Sequence, residues 1–294
     1  MDWLLEPFQY EFIIRAFFAG SLAAITCAIV GTWVVMRGLT FMGDALAHGV
    51  LPGIAIAFLV GVDLSIGAFL SAIVMVIGIN LVNRSSRLST DTGIGLLFVG
   101  MLALGVVIIS RTRSFTGDLT SFLFGSVLGV GNGDLWFQSV ALLLVVIVVV
   151  IFRRPFIALS FNWEKAASLR MRPKLAHFVM LTLVAIAIVA SFQTVGTLLV
   201  FGLLVAPPAT AALLSRRLLV MMISACAIGV LSIAIGVIIT YHFDTAAGAT
   251  MAATSVALFF IVLTVRELVS FTSKKRHSSA VATNDIVSAT SIHD

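Results

Sequence analysis

Asp44 and His48 stand four residues apart in an apolar stretch, within the run Gly43-Asp44-Ala45-Leu46-Ala47-His48-Gly49-Val50-Leu51-Pro52-Gly53. On a helix this spacing sets both side chains on one face, one turn apart. A carboxylate oxygen and an imidazole nitrogen that converge suit a divalent transition metal. Ionisable groups inside a membrane span are costly and mark substrate or ion paths. Pro52 has no N–H for the carbonyl of residue 48, so that carbonyl is expected to be free as a third ligand group. The chemistry implied is passage of a metal cation. The competing reading, a structural Asp–His hydrogen bond, is the better one in a soluble core, but the apolar span and the proline weigh against it here.

Two further groups of residues bear on a pathway. In Ala206-Pro207-Pro208-Ala209-Thr210-Ala211 the two prolines deprive the carbonyls of Leu203 and Leu204 of their donors. Such broken backbone is tolerated at membrane depth where it is buried in protein or lines a cavity. The small residues Ala209, Thr210, Ala211 and Ala212 permit close helix packing. The block therefore reads either as a packing kink or as a pathway wall, and Pro52, Pro207, Pro208 and Thr210 are candidate gate residues. The segment Tyr241-His242-Phe243-Asp244-Thr245 is expected on the outer side, with Asp244 capping the helix that follows. His242 and Asp244 form a candidate cation entry, although residues two apart face differently on a helix. His177 is expected to be a packed or interfacial histidine, and His277 and His293 lie in the tail.

The elements that must position these residues are membrane spans. Of 294 residues 60% are hydrophobic and 11% charged, against about 45–50% and about 25% in soluble domains. The fold class expected is all-α, a polytopic membrane protein. Apolar windows of spanning length lie at 13–36, 40–61, 64–83, 92–110, 135–152, 175–192, 195–214, 218–240 and 247–265. Interruption by Pro207-Pro208 makes 195–214 the weakest, so eight or nine spans are expected. With loops near 37, 84–87, 153–174 and 216–217 and the tail from 266 inside, fifteen of the 18 Lys and Arg are cytoplasmic. That asymmetry places the N-terminus outside and the C-terminus inside. It also explains the net charge of +5 without nucleic acid.

Outside the spans, residues 111–134 form an outer loop whose apolar piece, 119–130, is expected to be a short non-spanning helix. The inner loop Phe161-Asn162-Trp163-Glu164-Lys165-Ala166-Ala167-Ser168-Leu169-Arg170 is amphipathic and rich in helix formers. Asn162 is placed to cap it and Glu164 to meet the helix dipole. It reads as a partner-docking helix or as one resting on anionic lipid. Residues 1–268 are expected to form one transmembrane domain, with 269–294 a disordered cytoplasmic tail. Cys27 and Cys226 lie in apolar segments and read as buried small hydrophobes. The acidic start Met1-Asp2-Trp3-Leu4-Leu5-Glu6 is unlike a cleavable signal.

The Gly43–Gly53 run resembles the signature of the ABC-type manganese/zinc/iron permease family. So do Ser191-Phe192-Gln193-Thr194-Val195-Gly196, the block Leu203 to Ala211, and Asp244-Thr245-Ala246-Ala247-Gly248, in family order across about residues 10–268. The resemblance implies a homodimer in a bacterial cytoplasmic membrane. Each copy would dock on a cytoplasmic ATP-binding-cassette ATPase and be fed by an extracytoplasmic metal-binding protein. It implies no resident cofactor: the metal, Zn²⁺ or Mn²⁺ and possibly iron, is cargo, and ATP is used by the partner. Asp44 and His48 match the proposed pathway ligands. Glu164, Ala166, Ala167, Ser168 and Arg170 match the ATPase-coupling segment. Arg170 replaces a usual glycine there, and Pro207-Pro208 replaces the commoner Pro-Ala. The main rival is a gradient-driven secondary metal transporter or channel, which predicts more intramembrane acids than Asp44. A membrane metalloprotease would need a ligand motif such as His-Glu-x-x-His, which is absent.

Overall fold

Among the described residues, most departures from regular helix fall at a proline or a positive-φ residue; the Ser215–Arg217 turn, extended at Ser215, is an exception. The computed structural model describes residues 6–85, 90–110, 125, 129–161 and 172–290, the side chains of 83–85, 90, 161 and 270–290 excepted. After a single 3₁₀ turn (Glu6–Gln9) come α1 (Glu11–Met36), α2 (Thr40–Gly49), α3 (Leu51–Val60), α4 (Leu64–Ser85) and α5 (Thr90–Ser110). They are followed by α6 (Asn132–Ile151), α7 (Arg153–Phe161), α8 (Pro173–Val195), α9 (Thr197–Leu214), α10 (Leu218–Phe243) and α11 (Ala247–Thr290). With α2 and α3 counted as one span, nine segments of the described residues are long and apolar enough to cross a membrane. The proline-interrupted segment is one of them. Its 18 residues, Thr197–Leu214, reach about 27 Å, close to the hydrocarbon thickness. An odd number of crossings puts Glu11 and Val269 on opposite sides, in agreement with the Lys/Arg asymmetry.

Helices α1, α8, α9 and the broken α2–α3 make the interior, while α5, α6, α10 and α11 turn much of their surface outward. On one side α1 packs against α10 and α9, and α11 closes over both. On the other, α2 and α3 lie against α5 and α4, with α8 between them and α1. Without a hydrophobic drive between helices in lipid, close backbone approach and van der Waals contact hold such a bundle. Gly53 and Gly67 supply it reciprocally for α3 and α4: a Cβ on either would strike the other's carbonyl oxygen. Gly31 supplies it for α1 and α9, where a Cβ would land on the Leu204 carbonyl oxygen and against the Pro208 ring. That is one of the two carbonyls the prolines release.

Two sequence expectations change here. Pro155 cannot donate to the Ile151 carbonyl, so α6 ends at Ile151 and an unanticipated inner helix, α7, begins with Pro155 in its first turn. α7 is anchored where Phe156 meets Trp33 of α1, edge to face at 5.3 Å. The backbone of α11 runs to Thr290, with no Pro or Gly from Arg266 to Thr290 to interrupt it. The second change is that Asp244 does not begin the last span. It ends α10 in a left-handed conformation, φ 49°, as its C-cap. The expected outer helix at 119–130 and the amphipathic inner segment at 162–171 fall almost wholly outside the described residues.

Gly31→Val forces a branched side chain onto the Leu204 carbonyl, and α1 must separate from α9. The expected loss is at least about 3 kcal/mol, seen as a lower melting temperature of the purified chain in detergent. Gly100→Val, at an exposed position on α5 where an added Cβ meets nothing, should melt like the parent.

Candidate metal site

α2 and α3 behave as one span with a break at its middle. Gly49 ends α2, Val50 is the hinge residue, and Pro52 sits in the first turn of α3. The Val50 N–H turns back toward the His48 carbonyl oxygen, but across only two residues it is not aligned for a hydrogen bond, and no described group donates to that oxygen, as expected from Pro52. The neighbouring Gly49 carbonyl is taken by the Ser71 hydroxyl of α4 at 2.8 Å. Gly105 of α5 closes the other flank, since a Cβ there would meet Leu51 Cβ at 3.0 Å. The break is packed against α4 on one flank and α5 on the other, and it sets the direction of α2.

Asp44 lies on α2 roughly 6 Å above the inner end of that helix, and His48 one turn higher. Both side chains are 28% exposed, in a helix whose neighbours Met42, Ala45, Leu46 and Ala47 are almost wholly buried. Asp44 Oδ1 and His48 Nε2 are 3.5 Å apart. This exceeds the usual N–H···O range. It matches two donors on a shared ion, for ligands about 2.1 Å from a tetrahedral metal lie about 3.4 Å from each other. The imidazole is steadied by Phe98 of α5, edge to face at 5.8 Å, and Phe98 in turn by Phe41 at 5.8 Å. On the opposite flank Leu204 of α9 presses on Gly43, the residue before Asp44. No group of three or more His, Cys, Asp or Glu side chains is assembled among the described residues. One chain thus offers two side-chain ligands and an opening beside them.

The gate candidates divide by position. Pro207, Pro208 and Thr210 are buried on α9, and the Thr210 hydroxyl is spent on the Ala206 carbonyl at 2.7 Å. They meet the pair's helix only indirectly, through Leu204 of α9 against Gly43. His242 and Asp244 lie at the other face of the membrane, at the outer end of α10. His242 packs on Tyr241 at 5.1 Å, and Asp244 borders a cavity of about 420 Å³ with Phe12, Thr240, Tyr241 and Thr245. The structure does not bring them to Asp44 and His48. The coupling candidates Glu164, Ala166, Ala167, Ser168 and Arg170 lie outside the described residues, between α7 and α8. Cys27 and Cys226 are both free thiols in the helix packing.

Sequence reasoning missed two buried polar contacts. Gln138 of α6 donates to the Thr194 hydroxyl near the outer end of α8 at 2.5 Å. Arg37, at the inner turn between α1 and α2, reaches His177 of α8 at 2.7 Å. Neither pair shares a local motif, because the partners are 56 and 140 residues apart. The only signal was a polar or charged residue at an apolar boundary.

The model described as the ABC 3 transport family matches residues 9–266 of this chain. A Haemophilus influenzae protein named "Probable iron transport system membrane protein" is 38% identical over 262 residues, 89% of this chain and 96% of its own length. The manganese transport system membrane protein MntC of Listeria monocytogenes is 36% identical over 253 residues, 86% of this chain and 90% of its own. Among solved structures, PsaBC from Streptococcus pneumoniae in complex with Fab gives a TM-score of 0.78 at 30% identity, covering 88% of this chain and 94% of that one. Family match, identity and fold coincide over the nine apolar helices, and the chain belongs to the ABC 3 transport family, as a multi-pass membrane permease.

Proposed function

We propose that this chain is the permease of an ATP-binding-cassette importer and carries a divalent transition metal inward past Asp44 and His48. The observation that carries the reading is the 3.5 Å spacing of Asp44 Oδ1 and His48 Nε2 on a partly open face of a broken span. Relatives named for iron and manganese transport support the class of cargo. Two ligands per chain are too few to strip a hydrated ion. A second copy related by a two-fold axis supplies the same pair again, for four side-chain ligands around one ion. The absence of a thiolate favours Mn²⁺ or Fe²⁺ and keeps affinity low enough for release.

The chain contains no phosphate-binding Gly-x-x-x-x-Gly-Lys-Ser/Thr loop, so the ATPase is a separate cytoplasmic subunit. The segment around Glu164 to Arg170, between α7 and α8, is its docking element. An extracytoplasmic binding protein delivers the ion at the outer face, where Asp244 borders the cavity. ATP-driven closure then exposes the site alternately to the two sides. The gradient-driven alternative lacks its relay: among the described residues Asp44 is the only carboxylate away from the ends of the spans.

The test is uptake of radiolabelled Mn²⁺ into proteoliposomes holding the chain with its ATPase and loaded binding protein. Asp44→Ala and His48→Ala are expected to lower ATP-dependent uptake at least about 100-fold, since even second-shell changes cost 10–100-fold. Both should leave the complex assembled by size-exclusion chromatography. Uptake that persists in both, or runs on an ion gradient without ATP, would refute the reading. A change of ligand softness gives a second check. Asp44→Cys introduces a thiolate and should shift competition between Zn²⁺ and Mn²⁺ toward Zn²⁺, measured by dual-isotope uptake.

A further inference from the structure

Arg37 is an inner-face arginine that does not reach for water or lipid. Positive residues at such turns ordinarily extend along their stems to the headgroups. Here the guanidinium turns inward to α8, with Nη1 2.7 Å from His177 Nδ1 and 3.7 Å from Met180 Sδ. His177 is buried. A guanidinium offers only donors, so Nδ1 accepts and the ring proton belongs on Nε2. Among the described residues no carboxylate lies within ion-pair reach of Arg37. Burial pulls its pKa down to about 10. A cation half withdrawn from water without an anion is costly, so sidedness alone does not account for its place.

The two ends of this bond are unusually well placed. Arg37 caps α1 in a turn closed by three backbone bonds: Gly38 N–H to the Val35 carbonyl, Leu39 N–H to Val34, and Met42 N–H to Leu39, at 3.0, 3.1 and 3.0 Å. The first two make a Schellman closure, for which Gly38 supplies the left-handed residue at φ 65°. The turn is stiff, and α2 starts three residues after Arg37, so Arg37 and Asp44 move as parts of one body. The other end, His177, is the fifth residue of α8, whose first residue, Pro173, comes three residues after Arg170, the end of the segment proposed to meet the ATPase. α8 also touches α1 and α2 along its side, and the Arg37–His177 bond is a directional contact at this inner corner.

We propose that the Arg37–His177 hydrogen bond is a positioning contact through which displacement of the inner end of α8 is passed to the α1–α2 turn and so to the Asp44–His48 pair. The proposal rests on the importer reading. Arg37 and His177 touch no cargo; they set where the two ligands point at each stage of the cycle. Breaking the bond leaves the ATPase able to dock and hydrolyse, while hydrolysis no longer moves the metal ligands in step.

The readout is metal imported per ATP hydrolysed by the complete complex in proteoliposomes, with Mn²⁺-loaded binding protein. Arg37→Met and His177→Leu should each lower that ratio at least about fivefold, the lower end of ordinary site-to-site coupling, with ATP hydrolysis and complex melting temperature unchanged. The double variant should be no worse than either single, because both remove one bond. His177→Asn should restore the ratio, since its Oδ1 can accept where Nδ1 did. An unchanged ratio in the assembled single variants would overturn the proposal. So would additive losses in the double variant, or import and hydrolysis falling together with melting temperature. Absence of ATP-dependent import by the unsubstituted complex would overturn the functional reading and this link with it.

Discussion

The rest of the structure depends on the rule that a backbone N–H or C=O in hydrocarbon must find its partner within the protein. An unbroken apolar helix satisfies the rule alone, and this chain breaks its helices at two buried places. Each break is covered from a neighbouring helix. Ser71 of α4 takes the Gly49 carbonyl, while Gly31 of α1 lies against the Leu204 carbonyl that Pro208 leaves without a donor. The covering residues are small or short, so the helices bearing them come very close. Close helix approach thus accompanies both irregular places, and the Asp44–His48 pair stands beside one of them.

In α2–α3 the Gly49 carbonyl is taken by Ser71, while the His48 carbonyl has no aligned donor among the described residues. The break also yields a short, separately oriented helix, α2, gripped by Phe98 on one flank and Leu204 on the other. Leu204 belongs to the second break. Its carbonyl faces α1 and its side chain meets Gly43 on α2. The two proline motifs, some 150 residues apart in sequence, thus meet in space beside Asp44. In the proposed function their common part would be to orient the carboxylate and the imidazole.

The spans were legible in the sequence because hydropathy at this scale is almost one-dimensional: length and charge decide a crossing, and neighbours hardly matter. The Asp44–His48 pair was legible for a similar reason, since a four-residue spacing on a helix fixes a shared face without tertiary information. Where a result turned on a neighbour, sequence reasoning failed. Asp244 was assigned to the start of a helix because the residue type favours N-caps, but the chain needed a left-handed residue to leave α10, and Asp is one of the few types that accept it. The inner helix α7 was missed because Pro155 was read as loop punctuation, whereas in a first turn it starts a helix.

The incompleteness of the site in one chain is itself informative. A cation held by two ligands on a partly open face keeps most of its water, and such a site binds weakly. Closing a second copy across the open face would double the ligands and expel that water at once. Affinity would then depend on how two copies of α2 approach each other, and no new residue would be needed. A transporter has to alternate between holding and releasing one ion, and a site split between subunits converts subunit movement directly into affinity. A complete four-ligand cage within one chain would have to be dismantled at every cycle. On the proposed reading, the sparse ligand set suits alternating release, and the helix breaks that aim α2 would be the parts on which the alternation turns.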